Sequence, residues 1–124
     1  MTPEFLILDE PTAGLDGDGS ARLLSLLDDL HRGGTTIVIA THDTDLALEW
    51  ADDAAVFCHA RLERAGPAAD VLADRALLAR AALRCPWAVD LAELLNGDGA
   101  AADRPRSRTA VIDALQRRLM NGGP

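Results

Sequence analysis

The chain has 124 residues, 48% apolar and 26% charged, a globular composition within the ordinary size of one domain. Its formal charge of -8 argues against DNA or RNA as a direct partner, because a phosphate backbone is held by clustered cations. No apolar run approaches the ~20 residues of a membrane helix and no signal peptide opens the chain, so a cytoplasmic protein, or one peripheral on the cytosolic face of a membrane, is expected.

With aromatic residues at only 3% and no Tyr, the core must be built from Leu, Val, Ile and Ala. Residues 5–8 (Phe-Leu-Ile-Leu) read as a strand buried on both faces of a parallel sheet, ended by Asp9-Glu10 and closed by Pro11. Residues 22–31 place Leu23, Leu24, Leu27 and Leu30 at helical spacing, with Asp16 as N-cap and Gly33-Gly34 as stop. Residues 35–40 are β-branched and apolar, a second buried strand that completes a βαβ unit. A helix over 44–51 follows, capped by Asp43, with Leu46, Ala47 and Trp50 on one face. Residues 54–59 and 62–65 pair as a hairpin around Ala60-Arg61, a turn lacking the favoured Asn-Gly pair, before Gly66-Pro67 breaks the chain. Helices are predicted over 70–73, 75–83 and, past Pro86, 88–95. Residues 96–108 read as a linker. The last helix, 109–120, turns Val111, Ile112, Leu115 and Leu119 to one face, and residues 121–124 fray.

Ligands of open parallel sheets bind at the carboxyl ends of the strands, where Asp9-Glu10 and His42-Asp43 stand. Neighbouring strand residues point opposite ways, so Asp9 and Glu10 imply two roles. Phosphoryl transfer needs a cation bridge, a group that orients water and donors for the γ-phosphate, and two carboxylates with a histidine answer those needs. Plainer roles stand beside these. Asp9 and Glu10 can cap a strand and face solvent, His42 can be an ordinary loop histidine, and Asp16 and Asp43 can be helix caps. His31 and His59 match no motif, Trp50 and Trp87 suit packing, and Arg104, Arg106 and Arg108 suit a solvated face. Cys58 and Cys85 have no C-x-x-C spacing and read as buried, reduced thiols.

The run Leu8-Asp9-Glu10-Pro11-Thr12-Ala13-Gly14-Leu15-Asp16, followed by Ile39-Ala40-Thr41-His42-Asp43, resembles the ABC ATPases across the second half of their nucleotide-binding domain. The resemblance implies an α/β fold, the C-terminal half of a P-loop (RecA-like) ABC nucleotide-binding domain with a small helical C-terminal extension. It divides the chain into a partial ATPase core (1–66), a helical extension (67–96), a linker (97–108) and a C-terminal helix (109–120). By the same resemblance Asp9 holds Mg2+ through water, Glu10 polarises the attacking water as general base, and His42 is the switch histidine on the γ-phosphate. Asp16, in the D-loop, reaches across an ATP-sandwiched dimer. ATP and Mg2+ are the implied cofactors, and a membrane permease subunit is the implied partner.

The family's Gly-rich P-loop needs a Lys, and all twelve cationic side chains here are Arg. The glutamine loop and the L-S-G-G-Q motif are also missing. Met1-Thr2-Pro3-Glu4 resembles the family segment just before the strand, which implies an internal start, a truncated gene or a fragment. Such a chain is expected not to hydrolyse ATP alone and to need a P-loop-containing subunit or half-domain. The same resemblance implies that the missing P-loop strand would lie between residues 35–40 and 54–58, so a gap in the sheet and self-association through exposed strand edges are expected. Residues 41–53, with Pro86-Trp87 and the helical extension, are similar to ATP-binding subunits of cobalt-type energy-coupling importers. Two other readings are open: a non-catalytic remnant or interaction module, and a metal-dependent phosphohydrolase built on Asp9, His42 and Asp43.

Overall fold

A computed structural model describes residues 3–96 and 105–122. The chain folds as two compact units, the first running to His42 and the second starting at Asp43.

In the first unit, β1 (Phe5–Asp9) and β2 (Thr36–Ala40) pair in parallel, with Phe5 opposite Thr36 and Asp9 opposite Ala40. Helix α1 (Gly17–Arg32) connects them as the βαβ pattern requires, and its buried Leu27 lies among the half-buried Leu23, Leu24 and Leu30. It starts five residues before the predicted helix, because Asp16 caps it directly by accepting the Gly19 N–H at 2.7 Å and so offsets the poor helix propensity of Gly17 and Gly19. Thr35 drops out of the second strand; it is buried and donates its hydroxyl to the Pro3 carbonyl at 2.9 Å.

The expectation that β1 and β2 are buried on both faces is corrected. Their residues alternate between half-buried and exposed, and Phe5, Ile7 and Val38 are 65%, 74% and 47% exposed. A single helix crosses from β1 to β2, so only one face is covered within the unit.

The second unit opens with α2 (Thr44–Trp50), followed by the antiparallel hairpin β3 (Asp53–Cys58) and β4 (Arg61–Pro67). The turn lies at His59-Ala60, one residue before the predicted place, and both residues have left-handed φ of 49° and 60°. A register irregularity between Val56 and Phe57 accompanies this shift. Gly66 and Pro67 continue β4 instead of breaking it. No ladder joins β2 to β3 among the described residues; the strands form two separate two-stranded sheets.

Helices α3 (Ala68–Val71), α4 (Arg75–Arg80), α5 (Trp87–Asn96) and α6 (Arg108–Met120) complete the unit. The first two are shorter than or offset from expectation: α4 stops at Arg80, and Ala82 beyond it takes a left-handed φ of 56°. The core gathers Leu48 of α2, Ala68, Leu72, Leu78, Ala88, Val89 and Val111, with Val56, Val71 and Leu77 in a neighbouring cluster over the hairpin. Of the predicted α2 face, Leu46, Ala47 and Trp50 are only half-buried, and Leu48 is the residue that enters the core. On α6, Val111 is buried and Leu115 packs against the core, whereas Ile112 and Leu119 are exposed.

Arg106 overturns the solvated-face expectation. Its Nε donates to the Leu48 carbonyl at 3.0 Å and its guanidinium to the Ala51 carbonyl at 2.6 Å, closing the C-terminal end of α2. Ser107 then caps α6 by accepting the Ala110 N–H at 3.1 Å, so ordered chain replaces part of the predicted linker. Arg104 and the rest of that linker through residue 97 lie outside the described residues, as do residues 123 and 124 of the predicted fraying end.

Candidate functional site

The carboxyl ends of β1 and β2 lie side by side because the two strands run in parallel register to Asp9 and Ala40. Glu10 follows Asp9, donates its N–H to the Ala40 carbonyl at 2.8 Å, and takes a left-handed φ of 45°. For a residue with a Cβ that conformation costs about 1 kcal/mol, and such strain concentrates at functional sites. Below it the chain turns through residues 11–15, with the Ala13 N–H on the Glu10 carbonyl, the Leu15 N–H on the Thr12 carbonyl, and Gly14 at φ 76°. Gly14 is the residue in this turn that adopts a left-handed φ without a Cβ penalty.

The backbone turn brings the Glu10 side chain to the residues that follow β2. Oε2 accepts the Thr41 hydroxyl at 2.9 Å, and Oε1 accepts the His42 backbone N–H at 2.9 Å and the His42 ring through Nδ1 at 2.5 Å. The hydrogen bond from the His42 ring is the chief cause holding the Glu10 carboxyl below its ordinary value of 4.5; partial burial opposes it, and the Thr41 hydroxyl and His42 amide add to the lowering. Glu10 is therefore an ionised acceptor at neutral pH. The His42 ring itself is exposed.

Asp9 is exposed at the end of β1, and Glu10 lies beyond the strand at its left-handed φ, so strand alternation does not extend to the pair. Asp16 and Asp43 are helix caps, the first on α1 and the second on α2, where Asp43 accepts the Leu46 N–H at 3.0 Å. The structure thus joins Glu10 to His42 directly, and engages Asp16 in a cap. Among the described residues no three His, Cys, Asp or Glu side chains gather as metal ligands.

Sequence reasoning passed over Thr41, although a hydroxyl residue directly before the strand-end histidine was a usable signal. It also set aside two histidines that have structural partners: His31 Nδ1 is 3.1 Å from the Thr35 carbonyl oxygen, and His59 Nδ1 is 3.1 Å from Cys58 Sγ. Cys58 and Cys85 are free thiols, half-buried and not fully buried as expected. Burial, reinforced by Asp90, pushes the Cys85 thiol up to about 11. Trp87 is exposed and Trp50 half-buried; the Trp87 N–H donates to Asp45 at 2.8 Å.

No family model matches the chain. A Streptomyces coelicolor protein named as an ABC transporter ATP-binding protein is 57% identical over 103 residues, 83% of this chain and 36% of that protein. The cobalt import ATP-binding protein CbiO of Rhodobacter capsulatus is 52% identical over 92 residues, 74% of this chain and 33% of its own length. Among solved structures, cbiO1 of Clostridium perfringens, described as part of the ABC transporter complex cbiONQ, matches with a TM-score of 0.53 and 38% identity. That match covers 73% of this chain and 37% of that one. The chain spans about a third of the length of these relatives.

Proposed function

On the footing that this chain is homologous to ABC transporter ATP-binding subunits and carries the C-terminal part of their P-loop fold, we propose that it supplies the hydrolytic carboxylates of an ATPase site. The phosphate-gripping half comes from residues beyond these 124, in the same polypeptide or in another chain. The observation that carries this reading is the ionised Glu10 carboxylate, fixed at the end of β1 by Thr41 and His42.

In this reading Glu10 is the general base. While the His42 ring occupies Oε1, Glu10 is a weak base, since that hydrogen bond is the main cause of its lowered proton affinity. Rotation of the exposed His42 ring toward a γ-phosphate frees Oε1 for a water and removes the largest of those causes. The same movement places a donor on the phosphate, so substrate engagement and base activation are one event. Asp9 is an exposed carboxylate at a strand end, a hard oxygen donor of the kind that Mg2+ takes alongside water and substrate phosphates, and it is the residue that would hold the ion. Bound there, Mg2+ would supply positive charge that offsets the charge of the phosphates. Asp16 reaches across the dimer from the D-loop while its cap on α1 fixes the loop's exit.

The bare face of β1 and β2 supports the view that more of the subunit packs here, because parallel sheets are covered on both faces. In this reading residues 1–66 belong to the ATPase core and the helices that follow, ending with Arg108–Met120, form its C-terminal extension. Cobalt or another transition-metal cation is the proposed cargo, by analogy with the cobalt import relative, and a membrane permease is the proposed partner on the cytosolic face. Complementation tests the reading: the chain alone should not turn over MgATP, and addition of a P-loop half should yield turnover that Glu10→Gln abolishes. Association with the P-loop half without recovery of MgATP binding would favour a non-catalytic interaction module. The phosphohydrolase reading has less support, since Asp43 is taken up as the cap of α2.

A further inference from the structure

The geometry points to Thr41 as the positioning residue that keeps the Glu10 carboxylate aimed when His42 leaves it, an inference that rests on the reading of Glu10 as base. Glu10 has two oxygens and three donors. Oε1 carries both His42 contacts, at 2.9 Å from the backbone N–H and 2.5 Å from Nδ1, and Oε2 carries the Thr41 hydroxyl at 2.9 Å. Rotation of the His42 ring removes one of the three. The His42 backbone N–H and the Thr41 hydroxyl stay, because they belong to the main chain and to a side chain independent of that ring.

These two remaining donors act differently. The amide alone would hold one oxygen and let the carboxylate swing about its terminal torsion, which is broad and nearly two-fold for a Glu. The hydroxyl on the other oxygen removes that freedom. With both in place the vacated lone pair on Oε1 keeps its direction, and a water accepted there meets a fixed base.

The residue type suits the task. Thr41 directly follows Ala40, whose carbonyl already receives the Glu10 N–H at 2.8 Å, so the backbones that carry donor and acceptor are themselves bonded. Branching at Cβ restricts χ1 and holds the hydroxyl direction. Thr41 is half-buried, which shields the contact from competing water. The Glu10 main chain is meanwhile held at φ 45°, so slack in the site is left mainly to the side chain that Thr41 restrains.

Amide hydrogen exchange at His42, measured by NMR on this chain without nucleotide, reads the tether, since that amide is protected only while Glu10 stays in place. In Thr41→Val, which keeps shape and loses the hydroxyl, His42 exchange should rise about tenfold, the scale of one hydrogen bond to a charged group. Thr41→Ser should stay close to wild type, and Glu10→Ala should mark the unprotected limit. Exchange in the β1 and β2 ladder should be unchanged in all three, which reports an intact fold. Wild-type exchange in Thr41→Val, or equal acceleration in Thr41→Val and Thr41→Ser, overturns the proposal. That failure leaves the reading of Glu10 as base standing, because no ATP enters the measurement. Loss of that reading is seen separately, as full ATP turnover in a complemented Glu10→Gln chain, and it removes the catalytic meaning of the tether.

Discussion

Glu10 and His42 stand 32 residues apart in the chain and share a hydrogen bond, so the distance between them is set by the βαβ connection rather than by local sequence. Their pairing has a defined pH dependence. The folded-state affinity of Glu10 for a proton is lowered, so the pair adds stability above the ordinary carboxyl value of 4.5 and loses it as pH falls through the lower folded value. Denaturation of wild type and Glu10→Gln across the acid range should show a difference that is full near neutrality and shrinks below 4.5. A difference that is constant with pH would show that the carboxylate is not engaged. The motif residues were legible because residue type and spacing carry them. Their mutual contacts were not, since the left-handed turn at Glu10 that swings its side chain toward Thr41 has no signature in composition.

At the scale of elements, α2 is held at both ends by the chain that follows it. Thr44 at its start donates to the Arg84 carbonyl at 2.8 Å, and Arg106 closes its end on the Leu48 and Ala51 carbonyls. Arg106→Ala should destabilise the second unit by about 2 kcal/mol, the scale of hydrogen bonds to a charged group. Arg106→Lys should recover little of it, because an ammonium cannot span two carbonyls as the planar fork does. Chemical denaturation and exchange at the α2 amides check both. At the hairpin, Ala60→Gly should stabilise by roughly 0.5–1 kcal/mol, since a left-handed φ of 60° penalises a Cβ and Gly bears no such penalty. A fall in melting temperature would contradict that assignment of strain.

Helix existence was legible from periodicity throughout, and caps such as Asp16 and Asp43 were readable as residue types. Boundaries were not. The first turn of α1 reads Gly-Asp-Gly-Ser, a weak helical sequence that its cap sustains, and the β3–β4 turn uses His-Ala where pattern reading looks for Asn-Gly. Arg106 escaped because an Arg in an aperiodic stretch looks the same whether it faces water or helix carbonyls.

For the whole molecule, the exposed Phe5, Ile7 and Val38 form an apolar face on a two-stranded parallel sheet, a structure that is marginal when left uncovered. Ile7 and Val38 are register partners, so they stand next to each other on that face. The isolated chain should associate with itself as concentration rises, and the double substitution Ile7→Thr with Val38→Thr, which preserves strand propensity, should weaken that association in sedimentation experiments. A monodisperse wild type would show that the face is closed in solution. The proposed division of labour, hydrolytic carboxylates from this chain and the phosphate grip from a P-loop half, is decided by MgATP turnover of the chain alone and with that half added. The chain alone should show no turnover, and the added half should bring turnover that disappears in Glu10→Gln. Robust hydrolysis by the chain alone, or complemented hydrolysis indifferent to Glu10→Gln, would contradict it.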